Sequence, residues 1–227
     1  FSMDYRLKSI KYFVLVIIIN ILFALPRFAL EQGSSCMNCH VNPTGGGMRN
    51  DYGSNVYNLD ELPDPALHLV DMEKYFEIDM FHNPFTKSGR VGTIMTSRGC
   101  PQECYFCTSF LFHGRPFRRL SSKRVIDYVH KLVEEYKIEE LQIMDDTFTS
   151  MWKRVIEICE GIKHLNLRIT LPNSIRADLP LNRENRLKMF KVMKDAGVVN
   201  FGLGVEHGDQ DFLNNVINKR LDLDEVK

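Results

Sequence analysis

The chain has 227 residues, 44% of them hydrophobic and 26% charged, which is enough apolar content for a folded core and excludes a disordered tail. Lysine plus arginine and aspartate plus glutamate both number 29, so the formal net charge is zero and no whole-chain field draws in nucleic acid. Only Arg115, Arg118 and Arg119 in GRPFRRL form a basic cluster, and clusters of that size are usually solvated loop, so no nucleic-acid partner is indicated.

At the start of the chain Arg6, Lys8 and Lys11 precede YFVLVIIINILFAL, Tyr12–Leu25. A basic stretch followed by an apolar run shorter than the roughly 20 residues of a comfortable span reads as a signal peptide. Cleavage after Ala29 would place Arg27 at the minus-three position, against the small-residue rule, so an uncleaved anchor stays open. Residues 1–30 are therefore expected to be a signal peptide or membrane anchor, the predicted hydrophobic helix at residues 12–25 making the membrane contact. A buried core helix is disfavoured because basic residues flank one end only.

Next comes SSCMNCHVNPTGGGMRNDYG, with Cys36, Cys39 and His40 spaced C-x-x-C-H. Two thiols at that spacing suit covalent haem, with the adjacent imidazole reaching the iron; half a zinc site is the alternative, though no second ligand pair lies nearby. The stretch resembles the haem-attachment segment of exported bacterial c-type cytochromes. That resemblance implies haem on Cys36 and Cys39, His40 as the proximal ligand, and a periplasmic setting for residues 31–60. About 30 residues cannot enclose a haem by themselves.

Pro63 and Pro65 interrupt regular structure, and residues 61–89 read as a linker. From residue 90 apolar strands alternate with amphipathic helices. Val91–Thr96 is the first strand; Ser121 or Ser122 caps a helix with Val125, Val129, Leu132 and Tyr136 on one face. Glu140–Met144 is the second strand. Ser150 opens a helix with Trp152, Val155, Cys159 and Ile162 inward, Cys159 being a small core residue. Leu165, Leu167, Ile169 and Leu171 alternate as a third strand. Asn182 caps a helix bearing Leu187, Phe190 and Met193 that stops at Gly197; Val198–Val205 is the fourth strand, and Asp209 caps a last helix with Leu213, Val216 and Ile217.

Strands joined by helical crossovers predict an α/β fold with a parallel sheet of about four βα units. Catalytic groups in such folds collect at the carboxyl ends of the strands. Those ends carry the cysteine loop after strand one, Asp145 and Asp146 after strand two, Arg176 after strand three, and Glu206 and His207 after strand four. Each alone has a structural account as cap, surface charge or ion pair, but all fall on one rim.

Cys100, Cys104 and Cys107 stand as C-x-x-x-C-x-x-C in SRGCPQECYFC. A disulfide would leave one thiol over, and structural zinc would need a fourth ligand, for which His113 is the candidate. Three thiolates on a four-iron cube leave one iron open to substrate or cofactor. With Phe106 before the last cysteine, this is similar to the signature of the radical S-adenosylmethionine superfamily, the likeness running from about Leu62 to Lys227.

The resemblance implies a partial (β/α)6 TIM-like barrel at residues 90–227, a [4Fe-4S] cluster on Cys100, Cys104 and Cys107, and S-adenosylmethionine on the open iron, cleaved to a 5′-deoxyadenosyl radical. It also implies a reductant protein as partner and a reducing, cytoplasmic setting. By motif, it places Phe106, Asp145, Asp146, Arg176 and Glu206 about the nucleotide: MDDTF near the methionine amino group, NSIRADL with Arg176 on the carboxylate, and GLGVEHGD with Glu206 at the amino group or ribose. His207 stands where the family more usually has serine. LPDPALHLVDMEKYF and DDTF resemble the cobalamin-binding branch, whose members often methylate or rearrange unreactive carbons, but the Asp-x-His-x-x-Gly ligand motif is missing and cobalamin is not expected on this chain. The family's last two βα units are missing too, which predicts an unpaired sheet edge and doubtful activity for this chain alone.

An exported haem segment and a cytoplasmic cluster belong in different compartments. The favoured expectation is a join, near Glu61–Pro65, between the start of a haem protein and the interior of a radical enzyme. The alternatives are a membrane-tethered protein whose haem feeds the cluster, and an exported haem electron carrier with a degenerate second half. Nothing in the sequence points to the substrate.

Overall fold

The computed structural model describes residues 58–78, 83, 85–179 and 181–226. The hydrophobic segment at 12–25 and the haem residues Cys36, Cys39 and His40 lie outside the described residues. Among the described residues no helix is long and apolar enough to cross a membrane.

The segment expected to be a linker is packed. Leu59 is buried, and Asp64 pairs with Arg124 at 2.7 Å and Lys131 at 3.3 Å. A short helix α1 (Met72–Ile78) buries Phe76, over whose ring the Arg90 guanidinium stacks at 4.4 Å while pairing with Glu73 at 2.7 Å. Spacing of prolines shows where a helix cannot form; it does not show whether the chain between them docks.

Strand β1 (Val91–Ile94) leads into a loop whose stems form a two-residue antiparallel ladder, β2 (Ser97–Arg98) against β3 (Arg118–Arg119), with helix α2 (Ser109–His113) between them. Ser121 caps α3 (Ser122–Tyr136) as its sequence predicts, its hydroxyl accepting from the Arg124 N–H at 3.2 Å. Then follow β4 (Glu140–Ile143), α4 (Trp152–Ile162), β5 (Arg168–Arg176), α5 (Arg183–Asp195) and β6 (Val198–Gly204). Asn182 caps α5 through Asn185 N–H at 2.9 Å, and Gly197 adopts φ +100 directly before β6, where an added Cβ would meet the Leu167 carbonyl.

The strands pair in parallel in the order β1-β4-β5-β6, each new strand added beside the last. Because the order never reverses, all crossover helices lie on one face: this is the wall of a barrel, not a doubly wound sheet. Val125, Val129 and Leu132 of α3, Val155, Ile158, Cys159 and Ile162 of α4, and Met189 and Met193 of α5 pack with Leu141, Ile143, Ile169 and Leu171. Each fully buried aliphatic contributes roughly 1.5–3 kcal/mol. The other face is polar: Glu140, fully buried, pairs with Arg168 at 3.1 Å and accepts from Lys87 N–H, while Gln142 donates to Thr86 at 2.8 Å. Among the described residues β6 pairs on one side only.

Four local expectations change. The third strand starts at Arg168, since Lys163–Leu165 is a 3-10 turn closed by Asn166 at φ 52. It also runs past Pro172, which is accommodated by a bulge against β6 with Ser174 at φ 69. On α5 Met189 is buried and Leu187 is exposed, so the buried stripe follows Met189 and Met193 at i, i+4. The last helix is a single wide turn, Phe212–Val216, with Ile217 N–H donating to Phe212 C=O; two adjacent asparagines make poor helix interior.

Candidate functional site

The cysteine loop is shaped by its backbone. Gly99 adopts φ +88, and an added Cβ would stand 2.3 Å from the Pro116 carbonyl oxygen, so the two stems approach as closely as they do only with glycine there. The far side is braced by the segment after the wide turn: Tyr105 N–H donates to Ile217 C=O at 2.9 Å and Asn218 Nδ2 to Glu103 C=O at 3.0 Å.

Cys100, Cys104 and Cys107 are free and half-buried. Burial pushes the Cys100 thiol up; the Gln102 backbone N–H opposes this, while Asp146 and the other two thiols add to it. Burial also raises Cys104, opposed by the Lys219 ammonium and the Arg176 guanidinium. The three sulfurs therefore feel one another's charge, and Ser109 N–H donates to Cys107 Sγ at 3.5 Å. Among the described residues no three His, Cys, Asp or Glu side chains converge as donors to a single metal ion, His113 included. A cube takes one thiolate per corner, and three separated thiols with N–H groups directed at them fit that demand.

The two aspartates after β4 diverge. Asp146 is half-buried at the cysteine loop, its Oδ2 accepting from Ser109 Oγ at 2.6 Å. Asp145 is buried, and both its oxygens accept hydrogen bonds from Thr96 and Ser97, which leaves it facing the protein interior and not a ligand.

Arg176 sits at the rim, but its donors are taken. Nε and Nη2 grip Asp178 at 2.5 and 2.9 Å, Nη1 reaches Gln102 Oε1 at 2.9 Å and Lys219 C=O at 3.2 Å, and Nη2 also reaches Arg220 C=O at 2.6 Å. The cation beside the cysteines that reading by motif missed is Lys219. Its Nζ pairs with Glu206 Oε1 at 2.8 Å and lies 5.8 Å from the centre of the half-exposed Phe106 ring. Glu206 itself is held at φ 73. His207 stacks on Phe212 at 4.1 Å and accepts the Asp209 N–H, a turn-forming role.

The model of the Radical SAM superfamily matches residues 94–227. The chain belongs to this superfamily. It is 36% identical over 166 residues to a cytidylyl-2-hydroxyethylphosphonate methyltransferase of Streptomyces wedmorensis, covering 73% of this chain and 30% of that protein. It is 37% identical over 175 residues to an uncharacterized methyltransferase of Pyrococcus horikoshii, covering 76% and 35%. An anaerobic magnesium-protoporphyrin IX monomethyl ester cyclase of Rubrivivax gelatinosus matches at 25% over 213 residues, 93% of this chain and 36% of the other, so that likeness extends into the residues before 58. The chain thus spans about a third of the length of these relatives. Among solved structures, a cobalamin-dependent S-adenosylmethionine radical enzyme with aqua-cobalamin and S-adenosylmethionine bound superposes with a TM-score of 0.51 at 24% identity, covering 59% of this chain and 21% of that one; it shares the fold. These relatives lend no support to haem on Cys36, Cys39 and His40.

Proposed function

We propose that residues 58–227 form the cofactor-holding part of a radical S-adenosylmethionine enzyme of the methyltransferase-like branch, working in a reducing compartment with a protein reductant. One observation carries this reading: three free thiols on the loop after β1 face Asp146, Lys219 and Glu206 from the ends of neighbouring elements. When bound, an iron–sulfur cube and the sulfonium nucleotide supply reductive carbon–sulfur cleavage and a 5′-deoxyadenosyl radical.

The chain's own residues hold and orient. Cys100, Cys104 and Cys107 ligate the cube; the N–H groups of Gln102 and Ser109 hydrogen-bond to thiol sulfur and favour the ionised form. Asp146 offers a carboxylate to the methionine ammonium, and Lys219 a cation to its carboxylate, with Glu206 setting the lysine's position. The half-exposed Phe106 ring gives a flat apolar surface for the nucleoside. The relatives that are methyltransferases, and the solved relative that binds cobalamin, favour methyl transfer with cobalamin held outside this chain. The Rubrivivax likeness across the proposed join near Glu61–Pro65 favours one continuous gene product.

Anaerobic reconstitution with iron and sulfide tests the reading. About four irons per chain are expected, lost in Cys104→Ala and kept in Cys36→Ala, with 5′-deoxyadenosine released on adding S-adenosylmethionine and a strong reductant. Tetrahedral zinc in place of the cube, or a pyridine haemochrome signal without iron–sulfur absorbance, would favour a zinc site or an exported haem carrier instead.

A further inference from the structure

Asp145 and Asp146 are adjacent in extended chain, so their side chains leave on opposite sides. Asp146 goes to the cysteines; Asp145 is 2% exposed. Its Oδ1 accepts the Thr96 N–H at 2.5 Å, and its Oδ2 accepts Thr96 Oγ1 at 2.5 Å and Ser97 Oγ at 2.6 Å. From α4, Arg154, 5% exposed, donates Nη2 to Thr96 C=O at 3.0 Å and Nε to Leu120 C=O at 2.9 Å. Leu120 N–H also donates to Thr96 C=O at 2.9 Å. Thr96 therefore has its N–H, C=O and hydroxyl all engaged. Thr96 and Ser97 form one stem of the cysteine loop, and Leu120 follows the other.

We propose that Asp145 and Arg154 are positioning residues for the iron-binding loop, fastening its two stems to β4 and α4 so that Cys100 is held in register with Asp146. The proposal rests on the reading that the three cysteines hold a cube. Two arguments carry it. The ladder between the stems is only two residue pairs, Ser97 with Arg119 and Arg98 with Arg118, and so short a ribbon does not hold itself together in water. Both charges are also buried, which costs desolvation that an apolar pair would avoid, so the pair gives geometry in place of net stability.

The test uses the full chain, reconstituted anaerobically, and measures iron per chain, the rate of iron loss to a ferrous chelator, and urea unfolding of the metal-free protein. The variants are Asp145→Ala, Asp145→Asn, the mild double change Thr96→Val with Ser97→Ala, and Met189→Ala as a control that weakens the core on α5. Loss of iron about tenfold faster than wild type is expected for Asp145→Ala and the double variant, less for Asp145→Asn, which still accepts from Thr96 N–H; Met189→Ala should unfold more easily yet keep its iron. Equal iron loss in the double variant and wild type, or in Asp145→Ala and Met189→Ala at matched stability, overturns the proposal. Wild type that takes up no iron at all sinks the cluster reading, and the proposal with it.

Discussion

Arg176 Nη1 at the end of β5 donates to Gln102 Oε1 inside the cysteine loop at 2.9 Å, joining two rim positions 74 residues apart. With its other donors on Asp178 and on the carbonyls of Lys219 and Arg220, this guanidinium ties together β5, the loop and the segment that follows β6. Arg176→Ala is expected to destabilise the metal-free protein by about 3 kcal/mol, because it leaves Asp178 unpaired and several acceptors empty. Arg176→Lys should recover less than half, since a point charge cannot reproduce the planar fork. Denaturant unfolding at fixed pH checks both.

Gly99→Ala probes the loop without touching a ligand. Its Cβ would stand 2.3 Å from a backbone oxygen at a left-handed φ, so neither neighbour can yield without parting the stems. Iron uptake should fall below half of wild type, while the far-UV dichroism of the sheet and helices is kept. Normal iron content in this variant would show that the loop reaches the same geometry by another path.

Burial lifts the Cys159 thiol from its ordinary 9.0 to about 12. A folded-state value above the unfolded one means the stabilising difference is complete below pH 9.0 and is lost as pH rises from there toward 12. Cys100 and Cys104 shift the same way in the metal-free protein. Stability of metal-free wild type should therefore decline above pH 9, and Cys159→Ala should make that decline shallower by about 1.4 kcal/mol per pH unit. Iron loading, which needs thiolates, should go the other way and speed up with pH. Urea midpoints and iron uptake across that range test the two signs separately.

The rim was legible because strand ends can be read from period: Val91, Glu140 and Val198 begin strands as the apolar pattern predicts, and the loaded residues follow. Caps at Ser121 and Asn182 and the stop at Gly197 were legible from local chemistry. What escaped was which way a side chain turns and what it is already holding. Nothing in DDTF separates Asp145 from Asp146; the difference comes from Thr96 and Ser97, residues 49 and 48 positions away. Likewise Arg176 reads as a free rim cation until the carbonyls of Lys219 and Arg220 fold back on it. Lys219 was missed because a wide turn, and not a regular helix, brings it to the cysteines.

Lys219 supplies the sharpest division between the two candidate carboxylate partners. Its ammonium pairs with Glu206, lies near the Phe106 ring and is the largest influence opposing the burial of Cys104. Arg176, by contrast, would have to release existing bonds to bind a nucleotide's carboxylate. Lys219→Met keeps the length of the side chain and removes the charge. Two effects should follow: Cys104 moves further up, slowing iron loading at neutral pH, and affinity for S-adenosylmethionine drops about tenfold or more even after loading at alkaline pH restores full iron. Lys219→Arg should restore both. Equilibrium binding to the loaded protein, with iron content measured on the same sample, separates the two effects; unchanged affinity in Lys219→Met alongside lost affinity in Arg176→Lys would return the carboxylate to Arg176.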